Sequence, residues 1–389
     1  MKILHTVENY FPSIGGMQTV VQKLSEYLVE FGHEVTVAAA YRPDRTEDIL
    51  NGVRIKSFQI SGNDVTGMRG EVQAYQDFLL GSDFDIVTNF ASQQWAADCM
   101  LPLLNQIKGK KVFVPTGFSK LKHPAYQAYF HKMATWLNEY DLNVFTSEKY
   151  QDFEFARSLG MQNLTVIYNG ADEREFSESP KINIRKMLGI RDKAPFILNV
   201  SSHTGLKGHS EAIRIFHRTK CKNATLLIIG NHENSGCYKS CMKKQRIVNH
   251  LPIRLIDRKK VLIEELTREQ TLAAYHAADC FLFTSRIECA PLVLFECMAS
   301  RTPFLTTDVG NAAEIVEMSQ SGVLLPTLKF ENGHSRADEK QSARLLSDLC
   351  RDKQRMKEYS ETGYGIWKER FTWEKIAREY EARYLDLLT

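Results

Sequence analysis

The first forty residues oblige the chain to build a parallel sheet. Ile3 to Val7 is an apolar run of strand length, and the loop Glu8 to Ile14 ends in Gly15-Gly16. Val20, Val21, Leu24, Leu28 and Phe31 then mark one face of a helix predicted from Met17 to about Phe31. Gly32 suits the residue that closes it. Glu34 to Ala40, EVTVAAA, is the next strand. Strand, helix and strand in that order start a parallel α/β sheet. Further strands are predicted at Gly52 to Phe58, Asp85 to Asn89, Lys111 to Val114 and Leu142 to Thr146. Helices are predicted over Trp95 to Ile107 and from a Ser147-Glu148 cap to Leu159, with loop and helix over 59–82.

The pattern then restarts. Asp172 to Lys193 is charged and irregular, as an interdomain segment would be, and Phe196 to Val200 opens a second α/β unit. A helix from His209 to about Arg218, a strand at Leu226 to Ile229 and an apolar run at Ile253 to Ile256 follow. Next come a helix over Glu269 to Ala277, strands at Pro303 to Thr306 and Gly322 to Leu325, and a helix between them over Asn311 to Glu317. Glu339 to Thr389 reads as helical, and Ala377, Tyr380, Tyr384 and Leu388 form an apolar stripe near its end. A chain of 389 residues, 43% hydrophobic, is long for one domain and can bury two cores.

A net charge of +3 gives no footprint for nucleic acid. Met1-Lys2-Ile3-Leu4 reads as a strand rather than a leader, and no run approaches the ~20 apolar residues that span a bilayer. The expected location is cytoplasmic. The eight cysteines lack a disulfide-framework spacing and are expected as reduced thiols. Cys237 and Cys241, with His232 and His250 nearby, bring zinc to mind. The C-x3-C spacing is loose and the predicted helix needs no ion, so the expectation is no metal.

The chemistry concentrates between Phe281 and Ser300. An apolar strand, Cys280 to Thr284, is followed by a polar break, and Pro291 opens a helix in which the N–H groups of Leu292 and Val293 face outwards. A helix start of this kind accepts an anion. Glu288 stands before it and Glu296 about 7.5 Å further along its axis. Two carboxylates flanking an anion site suit a nucleotide-diphosphate-sugar, one meeting sugar hydroxyls and the other the ribose. Lys207, at the junction of a loop and the next helix, can neutralise a diphosphate that gains charge as the sugar leaves. Gly15-Gly16 lets backbone N–H groups approach a phosphate, although G-x-G-x-x-G is absent.

The pattern S-x-x-E-x-x-P-x-x-x-x-E resembles the Glu-x7-Glu motif of the retaining glycosyltransferases of family 4, which have the GT-B fold. GGMQTVVQKLSEYLVEFGHEVTV is similar to their opening, Lys207-Gly208-His209 to their donor-phosphate lysine, and Asn169-Gly170 to the turn into their linker. Phe371-Thr372-Trp373 resembles their ending.

The resemblance implies two Rossmann-like domains facing across a cleft: 1–171 on the acceptor side and 172–370 on the donor side. A helix over 371–389 would cross back to the first domain. It implies Glu288 and Lys207 as catalytic, and Gly15, Gly16, Ser202, His203, Gly230, Arg258, Ala290, Pro291, Leu292, Val293 and Glu296 as donor-binding. Thr116, Gly117 and His123 would lie on the acceptor side. Thr116 and Ser202 stand where the family usually carries His and Arg. Asp83-Phe84-Asp85 mimics the D-x-D metal motif of the other large glycosyltransferase fold and reads as a decoy.

The implied activity is metal-independent transfer from a UDP- or GDP-sugar to a hydroxyl of a glycan, a lipid-linked or a small-molecule acceptor, without a cofactor. Lys108-Gly109-Lys110-Lys111 and Lys120-Leu121-Lys122 suggest peripheral contact with an anionic membrane. Two other readings are a non-hydrolysing nucleotide-sugar epimerase and a non-catalytic nucleotide-sugar or partner-binding protein.

Overall fold

The computed structural model describes residues 1–231, 235–250 and 257–389. They fall into two compact units, Met1–Asn169 with Trp373–Thr389, and Gly170–Thr372.

The first unit is a twisted parallel sheet. Its strands are β1 (Lys2–Thr6), β2 (Glu34–Ala40), β3 (Val53–Phe58), β4 (Ile86–Phe90), β5 (Lys110–Val114), β6 (Leu142–Phe145) and β7 (Leu164–Val166). The spatial order is β7-β6-β5-β4-β1-β2-β3, with a two-residue antiparallel edge at Ile49–Leu50. Helices α1 (Gly16–Glu30), α2 (Val72–Gly81), α3 (Gln127–Glu139) and α4 (Gln151–Ser158) connect the strands. The central strands are buried along almost their whole length, which is why they read as continuous apolar runs rather than alternating ones.

The second unit repeats the plan. Its strands are β8 (Phe196–Val200), β9 (Thr225–Ile229), β10 (Lys260–Glu264), β11 (Cys280–Phe283), β12 (Phe304–Thr306) and β13 (Gly322–Leu324), in the order β10-β9-β8-β11-β12-β13. Every pair is parallel, with Ile197 opposite Cys280 and Leu198 opposite Phe281 across the centre. The intervening helices are α5 (His209–Arg218), α6 (Ser235–His250), α7 (Arg268–Ala277), α8 (Leu292–Ala299) and α9 (Ala312–Ser319). They are followed by α10 (Glu339–Arg351) and α11 (Lys353–Arg370). α7 starts on a full capping box, Thr267 and Gln270 satisfying each other's backbone N–H. In both sheets chain order reverses about the first strand, between β1 and β4 and between β8 and β11. Ligands of open α/β sheets bind outside the carboxyl ends of such strands.

The last helix, α12 (Trp373–Leu388), belongs with the first unit. Tyr384 Oη lies 2.8 Å from Thr88 Oγ1, His33 Nε2 2.8 Å from Glu381, and the Arg378 guanidinium 3.5 Å from the centre of the Phe31 ring. The apolar stripe ends short of Leu388, which is exposed.

Several local expectations need correction. Trp95 to Ile107 is one helical turn, Trp95–Asp98, and a 3-10 turn, Leu101–Leu103. Pro102 has no N–H to offer the Asp98 carbonyl, so the helix stops. Ser147 and Glu148 do not cap α4. It begins at Gln151, and the Ser147 hydroxyl accepts from the Lys149 N–H instead. Pro291 is the residue before α8 rather than its first. The charged segment 172–193 holds two helical turns, Glu173–Phe176 and Ile184–Met187, each capped by a side chain, Asp172 or Asn183. A hairpin of Thr327–Lys329 with Ser335–Ala337 went unpredicted. The apolar run at 253–256 lies outside the described residues. Asp83 pairs with Lys2 at 2.8 Å, and Asp85 accepts the Lys2 N–H at 2.7 Å, so both acids tie β1 to the entry of β4. No helix among the described residues is long and apolar enough to cross a membrane.

Candidate active site

Two loops leave the switch point of the second sheet side by side, 201–208 after β8 and 284–291 after β11. Backbone and side chain lock them together. The Arg286 N–H donates to the Leu206 carbonyl at 2.8 Å, and the Thr284 hydroxyl donates to the Gly208 carbonyl at 2.8 Å. Gly208 has φ +67°, and a Cβ there would sit 1.8 Å from the Thr284 carbonyl oxygen. Only glycine allows that approach.

The lock carries Lys207 to Glu288. Lys207 Nζ donates to Glu288 Oε1 at 2.6 Å, and the Ser285 hydroxyl donates to the same oxygen at 2.6 Å. Both side chains remain partly open, Lys207 by 25% and Glu288 by 14%, so a ligand can reach them. From below, the loop is braced by the Asn311 N–H, which donates to the Cys289 carbonyl at 2.9 Å. Gly310 beside it has φ +55° and is pressed against the same carbonyl. Ala290 and Pro291 then lead into α8, where Leu292 and Val293 hold first-turn N–H groups that no carbonyl of the helix can meet.

Glu296 lies one turn in and is clamped. Tyr275, wholly buried and stacked on Phe281, donates its hydroxyl to Glu296 Oε2 at 2.8 Å. Arg268 reaches Glu296 Oε1 at 2.6 Å and Glu175 at 2.5 Å. Burial, then the Glu296 charge, holds the Tyr275 phenol well above its ordinary pKa, so it stays a donor.

A second carboxylate steadies the other side of the loop. Glu211 of α5 is buried and pairs with Arg286, with Arg336 at 3.3 Å and with Arg214 at 3.7 Å. Burial alone would raise its pKa; the hydrogen bond and charge of Arg286 outweigh that and leave it below the ordinary value. The Ser335 N–H donates to the Arg286 carbonyl at 2.7 Å, so the unpredicted hairpin is fastened to the same loop.

Residues 180–364 match the family model described as Glycosyl transferases group 1. Residues 14–175 match the one described as Glycosyltransferase Family 4. The chain belongs to glycosyltransferase family 4. This glycosyltransferase is 25% identical over 342 residues to an uncharacterized glycosyltransferase of Methanocaldococcus jannaschii, covering 83% of the chain and 84% of that relative. It is 25% identical over 228 residues to the N-acetyl-alpha-D-glucosaminyl L-malate synthase of Bacillus anthracis, covering 58% of the chain and 55% of that relative. Among solved structures, the sucrose-phosphate synthase of Thermosynechococcus elongatus aligns with a TM-score of 0.76 at 18% identity, over 99% and 98% of the two chains. Anabaena HepE in complex with UDP and glucose aligns with 0.74 at 16%, over 98% and 99%. These likenesses show the fold, which is GT-B.

The other expected donor residues of this glycosyltransferase divide. Ser202 is exposed at the start of the Lys207 loop, and Gly230 follows β9 with its α-carbon against the Ser201 carbonyl. Two expectations fail on position. Arg258 precedes β10 and so lies at the amino edge of the sheet, a strand's length from the Lys207 loop; the parallel register with β9 leaves no alternative. His203 is only 1% exposed and packs against Cys237 and His209, so its ring is withdrawn from the open side of the loop where a donor would lie.

In the first unit of the enzyme, Gly15 and Gly16 begin α1 after the loop that leaves β1. Thr116 and Gly117 follow β5 at the same carboxyl edge, both with positive φ. The Gly117 N–H donates to Asp152 Oδ2 at 2.7 Å, and burial pushes that carboxyl up to about 6. His123 is exposed and caps a 3-10 turn, its Nδ1 accepting from the Ala125 N–H at 3.2 Å.

The residues missed from sequence are those whose partners are remote: Arg268, Tyr275, Glu175, Glu211 and Arg336. The capping box at Thr267-Gln270 does mark the start of the helix that carries two of them.

Proposed function

We propose that this family-4 enzyme is a retaining glycosyltransferase that moves a sugar from a UDP- or GDP-sugar to a hydroxyl of a glycan, lipid-linked or small-molecule acceptor. The observation that carries the reading is the 2.6 Å contact of Lys207 with Glu288 at the switch point of the second sheet, directly before the start of α8. The diphosphate would take Lys207 and the N–H groups of Leu292 and Val293. Glu288, freed from part of its pairing, would accept hydrogen bonds from the sugar hydroxyls. Glu296, held in one rotamer by Tyr275 and Arg268, would accept from the ribose.

In the reaction the bond from the anomeric carbon to the phosphate oxygen breaks, and its electron pair leaves on the diphosphate. The acceptor oxygen forms the new bond on the same face, and its proton passes to the departing phosphate oxygen. Lys207 stabilises the charge that develops there, so a divalent ion is not required for the transfer step. The solved structure of Anabaena HepE with UDP-glucose makes that donor the first to test.

The test is proton NMR of the first turnover, without added divalent ion. Product with the donor's anomeric configuration supports the reading; the opposite configuration refutes retention, and isomerised nucleotide-sugar without transfer would show an epimerase.

Contact with an anionic membrane belongs to the same proposal. Lys110 and Lys111 already share Asp141, at 3.4 and 3.5 Å, so the attraction would fall to the exposed Lys108, Lys120 and Lys122. Salt-sensitive binding to anionic vesicles is expected, and equal binding to neutral ones would count against it.

A further inference from the structure

Beneath the Lys207 loop four metal-ligating side chains converge from three places. His203 comes from the loop after β8 and His209 is the first residue of α5. Cys237 and Cys241 come from successive turns of α6. One ligand atom from each lies within 4.8 Å of all the others. Cys237 Sγ is 3.6 Å from His203 Nδ1 and 3.7 Å from His209 Nδ1. Tetrahedral zinc with ordinary Zn–S and Zn–N lengths separates its ligands by roughly 3.3–3.8 Å. These are not the histidines that stand close in sequence. His232 lies outside the described residues, and His250 is at the far end of α6.

The histidine tautomer is set by a chain of bonds that starts in the sheet. Asn199 Nδ2 donates to the Leu282 carbonyl at 2.7 Å, which fixes Asn199 Oδ1 as an acceptor. The Ser201 hydroxyl donates to that oxygen at 2.9 Å, so its own oxygen accepts from His209 Nε2–H at 2.8 Å. His209 Nδ1 therefore presents its lone pair towards Cys237. A metal-bound histidine usually has an outer partner of this kind, and it fixes the ring and its proton.

We infer that His203, His209, Cys237 and Cys241 form a Cys2His2 site for zinc. The two thiols lose their protons to solvent as the ion binds, and no redox step is involved. A soft sulfur and imidazole set in tetrahedral array selects zinc over magnesium or calcium. The site fastens the start of α6 to the loop that presents Lys207, so the ion is structural and stands outside the transfer step.

The experiment measures bound metal on the intact chain without nucleotide, so its outcome is independent of the donor-site proposal. Protein equilibrated with buffered zinc is expected to retain about one equivalent, and its cobalt(II) form to show a sulfur-to-cobalt charge-transfer band with tetrahedral ligand-field absorption. Cys237→Ala and His209→Ala should lose the metal, while Cys350→Ala should keep it. Cys241 is fully buried and its replacement is liable to misfold, so the cobalt spectrum of the unaltered protein serves as the second readout. Only traces of zinc, an octahedral cobalt spectrum, full retention in Cys237→Ala, or a Cys237–Cys241 disulfide in the isolated protein would overturn the proposal.

Discussion

Lys207 Nζ lies 2.6 Å from Glu288 Oε1, although 81 residues separate them in the chain. They meet because β8 and β11 are neighbours in the sheet while the chain between them builds the strands on the far side of β8. The pair is thus a product of topology, and its two members answer differently to substitution.

Glu288→Gln removes the charge that holds Lys207 and leaves the ammonium to the diphosphate. Affinity for the nucleotide diphosphate product should rise by about fivefold, the value of a partly exposed ion pair. Turnover should fall by about a hundredfold or more as the sugar loses its carboxylate. Calorimetry and initial rates read the two effects separately, and weaker nucleotide binding would contradict this geometry.

Gly208→Ala places a methyl against the Thr284 carbonyl in a backbone with φ +67°. Stability should drop by about 2–4 kcal/mol, combining strain with displacement of the loop. Gly205 in the same loop has φ +85°, and a Cβ there would meet nothing within 4 Å, so Gly205→Ala should cost only about 1 kcal/mol. Denaturant unfolding of both variants separates steric overlap from backbone strain; equal losses would remove the argument for close approach.

Tyr275→Phe deletes one clamp on Glu296. A buried hydrogen bond to a charged group is worth about 2 kcal/mol, and unfolding free energy should fall by about that much. Glu296 is then held by Arg268 alone, so the donor KM should rise more than kcat falls. A variant with unchanged KM would place Glu296 outside the donor site.

His5 offers a pH test in the first unit. Its ring is fully buried, with Nδ1 2.8 Å from Ser25 Oγ, and burial lowers its pKa to about 3. The unfolded chain takes up the proton near pH 6.5, so His5 contributes fully above that value. The contribution is lost as pH falls from 6.5 towards 3. Asp98 and Asp152, raised to about 6 by burial, pull stability the other way, so the comparison must be with His5→Gln at each pH. The stability gap between the two proteins should narrow by about 2 kcal/mol from pH 6.5 to 5. A constant gap would mean that the folded protein admits the charge.

Much of the fold was legible because buried parallel strands are short apolar runs, and the helices between them carry one apolar face. Phe196–Val200 and His209–Arg218 have the bounds that pattern implies. Pro102 was as visible as any apolar residue, yet the helix drawn through it ignored its missing N–H. The hairpin at Thr327–Ala337 is polar and short, held by the Arg286 backbone rather than by its own periodicity.

At the site, Glu288, Pro291 and Glu296 stand in one local pattern. Arg268 and Tyr275 reach Glu296 from another helix, and no local spacing announces that. For the same reason local spacing does not announce the side chains that gather at the cysteines of α6. His250, close in sequence, stands at the far end of α6, whereas the crossover between β8 and β9 delivers His203 and His209 to Cys237 and Cys241.

The most direct measurement is a calorimetric titration of the chain and of Lys207→Ala with UDP-glucose and GDP-mannose, without added divalent ion. Saturable binding of one donor, weakened about tenfold or more by the substitution (about 1.4 kcal/mol), is the predicted result. Binding of neither donor, or the same affinity in both proteins, would contradict a donor site built on Lys207 and Glu288.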